Sequence, residues 1–306
     1  MSPTSQTPFS EPPMPAAATI DVDGVSTRYY DCGQGLQTMV LIYGGNFGSA
    51  DSASSAYAWN RNIPGLSQRH RVIAFDKLGQ GYTQVPLRDE DYTMAAVVRH
   101  AIGLIDRLGI ETFHLVGHSR GGFAATRIAL EIPHRVRTLT ICSSGTLSTG
   151  VGLNEVVLAM PPFPSGSRDA ARWIYQNYSA SPEAVTEEWV DEIMKVLERP
   201  AYQQGVAKYG REMLGVGRFL PELARMKRET LQWIDDGRLQ RPVQLIWGAN
   251  DRTVPVERGL DLFARIAAHE RRSGFHLLNA AGHFGFREHP GPFNALVSSW
   301  VNTWQE

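Results

Sequence analysis

Along the chain, apolar residues gather into short unbroken runs separated by stretches with a helical period. The runs are MVLIY (39–43), RVIAF (71–75), FHLVG (113–117), VRTLTIC (136–142), VQLIW (243–247) and FHLLN (275–279). Runs that are apolar on both faces are what a parallel sheet covered by helices requires. Ahead of them, Thr19 to Asp23 and Val25 to Tyr30 are β-rich and divided by Gly24, which predicts an antiparallel hairpin at one edge of that sheet. From Met94 to Leu108, the residues Met94, Val97, Val98, Ala101, Ile102, Ile105 and Leu108 recur at the spacing of a buried helical stripe, and Gly109 supplies the stop. A second helix is expected to start after Gly122 and end before Pro133, and a last one to run from about Phe293 to Trp304. Strand and helix alternate, so the fold class is α/β, with a mostly parallel twisted sheet flanked by helices.

The alternation breaks between Ser143 and Val243, where helical segments such as Glu183 to Leu197 have no buried strand beside them. This stretch is expected to be a helical lid laid over one end of the sheet. The resulting division is a disordered N-terminal tail at 1–18, carrying five prolines, a core at 19–144 and 243–306, and a lid insertion at 145–242.

Composition narrows the partners. Hydrophobic residues are 42% of the 306 and charged residues 20%, as in globular chains. Thirty basic residues against 31 acidic ones leave a net charge of -1, which offers nucleic acid or an anionic membrane no general attraction. Two cysteines, Cys32 and Cys142, cannot build a disulfide framework or a structural zinc site, and no metal is expected. No segment approaches the roughly 18 apolar residues of a membrane span, and the first residues lack the basic start and apolar stretch of a signal peptide. The expectation is a cytoplasmic protein acting on a small molecule, with self-association left open.

The candidate chemistry sits in LVGHSRGG (115–122), a G-x-S-x-G pattern between an apolar strand and a helix. In that context it reads as a nucleophile elbow, with Ser119 in a tight turn where side chains at Gly117 and Gly121 would clash. A serine hydroxyl needs a histidine base, itself oriented by a carboxylate, and with this kind of elbow the chain order is Ser, Asp or Glu, then His. Asp251 follows the strand VQLIW and His283 follows FHLLN, so all three fall at carboxyl ends of strands. Asp251 could instead cap the helix starting near Pro255. Of the other histidines, His289 is expected beside the last helix, His70, His100, His134 and His269 at the surface, and His114 and His276 in strands. Donors to an oxyanion would be the backbone N–H of Arg120, after the serine, and that of Gly45 in the turn Tyr43-Gly44-Gly45-Asn46. Nothing in this chemistry asks for a cofactor.

These residues resemble the α/β-hydrolase fold family. Within it, YGGNFGSA, AFDKLGQGYT, GHSRGG, PVQLIWGANDRTVP and AAGHFGFREHPGPFNALV look like the meta-cleavage product hydrolases, which split carbon–carbon bonds in ring-opened aromatic catabolites. The resemblance implies Ser119, Asp251 and His283 as triad and Gly45 with Arg120 as oxyanion hole. The chain departs from the pattern with Tyr43 for a histidine, Asn46 for a glycine, His118 for an asparagine before the serine, and Phe284 for a tryptophan. It also has Ile193 and Met194 where the family carries a lid arginine for the substrate carboxylate, with Lys195 and Arg199 nearby but off the motif. Gly44, Asn46, His118, Trp189, Met194 and Phe284 are the expected pocket residues, around a small hydrophobic substrate. Three readings follow: a serine hydrolase cleaving a carbon–carbon bond of a hydrophobic ketone or ring-fission product, an ester or lactone hydrolase, and a non-catalytic binding protein on the same scaffold.

Overall fold

The structure, a computed structural model, describes residues 9–304 apart from Asn46 and Val151. Its strands are β1 (Ala18–Val22), β2 (Val25–Cys32), β3 (Thr38–Ile42), β4 (Arg71–Phe75), β5 (Phe113–His118), β6 (Val136–Cys142), β7 (Val243–Gly248) and β8 (Ser273–Leu278). They form one sheet in the order β1-β2-β4-β3-β5-β6-β7-β8. The β1–β2 hairpin lies at one edge, β2 pairs antiparallel with β4, and every other pairing is parallel. After β4 the chain returns across β3 to lay down β5, so the order of strands reverses between β3 and β5. A crevice opens at the carboxyl ends of strands at such a switch point.

The central strands are buried on both faces, as their composition requires, but β8 is not. It is the last strand of the sheet among the described residues, and its Leu277 is left 52% exposed.

Helix α1 (Ile63–Leu66) is short. Helix α2 (Met94–Arg107) starts at Thr93, whose side chain accepts from Ala96 N–H, and ends at Gly109 with φ +64°. Helix α3 (Arg120–Glu131) begins directly after Ser119, three residues before the expected start. Gly121 and Gly122 are its first turn rather than its preface: a Cβ on Gly121 would lie 2.1 Å from the Ile42 carbonyl oxygen, so glycine lets α3 dock on β3.

Between β6 and β7 come α4 (Leu153–Val157), α5 (Arg168–Tyr178), α6 (Glu187–Leu197), α7 (Pro200–Arg211) and α8 (Leu220–Asp235). The last of these corrects the boundary at 242. The buried stripe of α8, Leu223, Met226 and Ile234, joins the core cluster that also holds Val97, Phe123 and Leu262, on the sheet face covered by α2, α3 and α9 (Val256–Ala267). The opposite face packs under α1, α5, α6, the short α10 (Gly285–Glu288) and α11 (Pro290–Thr303). Helix α11 starts three residues before Phe293, with Pro290 in its first turn, where the missing N–H costs nothing.

The N-terminal segment departs most from expectation. Residues 1–8 lie outside the described residues, but 9–17 are placed on the body of the protein, and Ala18 already belongs to β1. Glu11 is the anchor. Its carboxylate, 4% exposed, receives Nη2 of Arg61 at 2.5 Å, Nη2 of Arg287 at 2.9 Å, Nδ2 of Asn60 at 2.7 Å and Oγ1 of Thr186 at 2.8 Å. Prolines hold this segment extended, and two buried arginines give its one carboxylate a compelling partner. Burial would raise the Glu11 pKa, but Arg287 and Arg61 outweigh it and hold the group below its ordinary 4.5. A depressed pKa in the folded state means stabilisation that is complete above the unfolded value and drains away as pH falls through the folded one. Glu11→Ala is therefore expected to cost about 3–5 kcal/mol at pH 7, because it strands two buried guanidinium groups. Urea unfolding checks this, and the deficit should shrink below pH 4.5.

His70 and His100, expected at the surface, are buried; His100 Nε2 lies 2.8 Å from Thr27 Oγ1 across the β2–α2 interface.

Candidate active site

The switch point brings the ends of β3 and β5 side by side, and the candidate residues collect there. Ser119 is the hinge between β5 and α3. It sits at φ 53°, ψ -124°, a conformation that costs a non-glycine residue of order 1–3 kcal/mol and persists only where the surroundings enforce it. The enforcement is visible: Ser119 N–H donates to the Cys142 carbonyl at 2.8 Å, and Ser144 Oγ donates to the Ser119 carbonyl at 2.6 Å. Both flanking glycines are required, since a Cβ on Gly117 would stand 2.4 Å from the Gly121 carbonyl oxygen.

His283 Nδ1 lies 2.9 Å from Asp251 Oδ2, with both side chains 5% exposed or less. The other oxygen of Asp251, Oδ1, accepts three bonds: Thr253 N–H at 2.9 Å, Thr253 Oγ1 at 2.8 Å and Val254 N–H at 2.9 Å. The carboxylate is thus held on one oxygen and offers the other to the imidazole. Asp251 precedes α9 by several residues, and the cap position of that helix belongs to Pro255.

The histidine loop has its own support. His283 N–H donates to the Tyr178 carbonyl at the end of α5, at 2.7 Å. The buried carboxylate of Glu288 accepts from Gly282, Ala180 and Ser181 N–H at 2.6, 2.8 and 3.0 Å, joining the loop to the end of α5. Burial keeps Glu288 above its ordinary pKa in spite of those three donors.

On the other side, Gly44 and Gly45 follow β3. A Cβ on Gly44 would lie 2.8 Å from the Ser119 Cβ, and Gly45 has φ +79°. Only glycine brings this backbone so close to the serine. Asn46, expected in the pocket, lies outside the described residues.

This order of strands, elbow and turn matches known proteins. A sequence model of the alpha/beta hydrolase fold matches residues 38–172. The 2-hydroxymuconate semialdehyde hydrolase of Pseudomonas sp. strain CF600 is 28% identical over 285 residues, covering 91% of each chain. The 2-hydroxy-6-oxononadienedioate/2-hydroxy-6-oxononatrienedioate hydrolase of Paraburkholderia xenovorans is 27% identical over 287 residues, covering 90% of this chain and 91% of that one. The solved meta-cleavage product hydrolase of Pseudomonas fluorescens IP01 aligns with a TM-score of 0.76 at 27% identity, over 94% of this chain and 97% of that one. The chain has the α/β-hydrolase fold.

In this fold a cavity of about 320 Å³ opens over Ser119. Ser119, His283, Gly44, Gly45, Arg120, His118, Trp189 and Phe284 all line it. Tyr175 stacks on Phe284 at 5.3 Å with the rings 4° from parallel, and Trp189 stands edge-on to both. Behind Trp189, the Arg287 guanidinium lies 3.7 Å over its ring, so the Glu11 cluster backs the aromatic wall.

Met194 does not line the cavity. One residue along α6 turns a side chain by about 100°, and it is Ile193 that faces in, while Met194 is partly buried against the neighbouring apolar cluster. Between β6 and β7, Leu153, Met160, Phe163, Met213 and Leu220 are among the bulky residues left exposed.

His118 is buried, and its Nε2 donates to the His283 carbonyl at 2.9 Å. Burial first, and then the neighbouring His283, push its pKa well below the ordinary 6.5, so it stays neutral.

Sequence reasoning passed over the segment 49–58, which supplies Ser49, Asp51, Ser54, Tyr57 and Ala58 to the cavity. Its signal was its place, since it follows the carboxyl end of a strand as the Gly-rich turn does. Among the described residues no group of histidine, cysteine and carboxylate side chains could hold a metal, and no helix is long and apolar enough to cross a membrane.

Proposed function

We propose that this chain is a cofactor-independent serine hydrolase that cleaves a carbon–carbon bond next to the carbonyl of a hydrophobic, uncharged ketone, such as a ring-fission product of an aromatic compound. Ser119 Oγ attacks the carbonyl carbon while His283 Nε2 takes its proton, and Asp251 holds His283 by the Nδ1–H. The N–H groups of Gly45 and Arg120 receive the oxyanion. The carbon–carbon bond then breaks, the departing carbon leaves as an enolate and takes the proton from His283, and water releases the acyl group from Ser119. In a vinylogous 1,5-diketone the second carbonyl accepts the electron pair.

The observation that carries this reading is the His283–Asp251 pair beside a strained Ser119 at the floor of one aromatic-walled cavity. The relatives' names speak of semialdehyde and dienedioate substrates, which are acidic. In this cavity Ile193 stands where the resemblance implies an arginine, and the charged residues lining it are Asp51, Glu192 and Arg120. A substrate carboxylate placed against Ile193 would lose its hydration without gaining a partner, a penalty of several kcal/mol. That asymmetry favours an uncharged substrate. An ester or lactone hydrolase would use the same groups and is the second reading.

Three compounds separate the outcomes: a neutral vinylogous 1,5-diketone, its analogue bearing a 1-carboxylate, and a p-nitrophenyl ester. The expected result is a kcat/KM for the neutral diketone at least about 100-fold above that for the acid, the ratio expected for about 2.7 kcal/mol. Equal or better turnover of the acid sinks the neutral-substrate reading, and turnover of the ester alone selects the second. Absence of all turnover, with no labelling by a fluorophosphonate, would leave a binding protein.

A further inference from the structure

Lys77 is a fully buried lysine on the loop after β4, and none of the ion pairs among the described residues involves it. Its Nζ donates to the Gly44 carbonyl at 2.9 Å and to the Gly45 carbonyl at 3.0 Å. It lies 4.7 Å over the Tyr43 ring, and its own backbone N–H donates to Tyr43 Oη at 3.2 Å. The residue before it is pinned too: Asp76 accepts Ala56 N–H at 2.7 Å, Tyr82 N–H at 2.8 Å and Arg28 Nε at 2.7 Å. The amine is therefore delivered to the two glycine carbonyls from a rigid base.

The carbonyl of Gly44 and the N–H of Gly45 belong to one peptide unit. Among the described residues no peptide bond is cis, so that C=O and that N–H point in opposite directions in one plane. A donor fixed on the Gly44 oxygen turns the Gly45 N–H away from Lys77, and it also draws electron density through the peptide toward that oxygen, making the N–H a stronger donor. The second bond, to the Gly45 carbonyl, holds the next peptide and with it the left-handed turn at Gly45.

We propose that Lys77 is the positioning residue of the oxyanion hole: gripping the carbonyls of Gly44 and Gly45, it aims and polarises the Gly45 N–H toward the oxygen that becomes negative. This rests on the serine-hydrolase reading above. Burial, and then Arg120, lower the Lys77 pKa well below its ordinary 10.5, but a neutral amine still carries two N–H groups for two carbonyls. Interactions of this kind strengthen as charge develops, so they act on the transition state and not on the bound ketone or ester.

The test is Lys77→Met, which keeps an unbranched side chain one atom shorter and removes the donors, measured on whichever substrate the wild type turns over and with phenylboronic acid, whose tetrahedral adduct on Ser119 places an oxygen in the hole. The expected result is a fall in kcat of about 10- to 100-fold, less than for outright loss of a donor, with KM within about 2-fold. Phenylboronate affinity should fall by the same factor as kcat. Lys77→Gln, whose amide NH₂ keeps donors on a shorter, less adaptable side chain, should recover part of both. A folded Lys77→Met with unchanged kcat and boronate affinity overturns the proposal, as does a loss confined to KM. If Lys77→Met does not fold, Lys77→Gln decides by the same comparison of kcat, KM and boronate affinity. A wild type without turnover and without fluorophosphonate labelling would instead overturn the hydrolase reading itself.

Discussion

Ser119→Ala is expected to lower kcat by about 10⁵- to 10⁶-fold, the size of effect seen when the nucleophile of such a unit is removed. That is a loss of about 7–8 kcal/mol of transition-state stabilisation. KM should change little, because the cavity is walled by Tyr175, Trp189 and Phe284, which the substitution does not touch. Folding should survive as well. The serine side chain caps nothing at the start of α3, and the backbone bonds that force φ to 53° come from Ser119 N–H and the Ser144 hydroxyl, both retained in the variant. Turnover near the wild-type rate by a purified Ser119→Ala protein would dispose of the serine mechanism, while loss of turnover with an intact thermal transition supports it.

Asp251→Asn should produce the second largest loss, about 10⁴-fold in kcat, and the structure says why so conservative a change is so damaging. Oδ1 of Asp251 accepts three donors, from Thr253 N–H, Thr253 Oγ1 and Val254 N–H. An asparagine must keep its carbonyl oxygen there, since an NH₂ would face three other donors. Its NH₂ then points at His283 Nδ1, 2.9 Å away in the native protein. Only the tautomer with a bare Nδ1 can accept that bond, which puts the proton on Nε2 and leaves no base facing the serine. The loss should appear in kcat with KM close to wild type. An Asp251→Asn enzyme within about 10-fold of wild-type kcat would mean that another carboxylate orients His283.

The strands and the helix ends around the site were legible because each is written in contiguous residues. An unbroken apolar run can only be satisfied between two covering layers, and RVIAF and VRTLTIC occupy the very residues of β4 and β6. The glycines of the elbow were legible for their sterics, although their place inside α3 was not, because a glycine pair resembles a helix breaker until the approach of β3 is known. The limits of the 145–242 segment were misjudged at α8 for a related reason. Its stripe of Leu223, Met226 and Ile234 is an ordinary amphipathic pattern, and only packing reveals that it covers the sheet. Met194 is the pocket residue expected on α6, and helix phase, which depends on how α6 is seated, gives the place to Ile193.

By itself, the sequence determined the α/β class, the order of strands and helices, and the chain order of Ser119, Asp251 and His283, since all of these depend on local periodicity and local sterics. Tertiary structure alone decided the partners of the buried charges. Glu11 meets Arg287 across 276 positions, Glu288 meets Ala180 across 108, and Lys77 meets Gly44 across 33. A charge in a sequence carries no mark of being buried, and its ordinary fate is solvent. It is held inside only where the fold brings a partner from far along the chain, because an unpaired ion or an unbonded amine would not remain there.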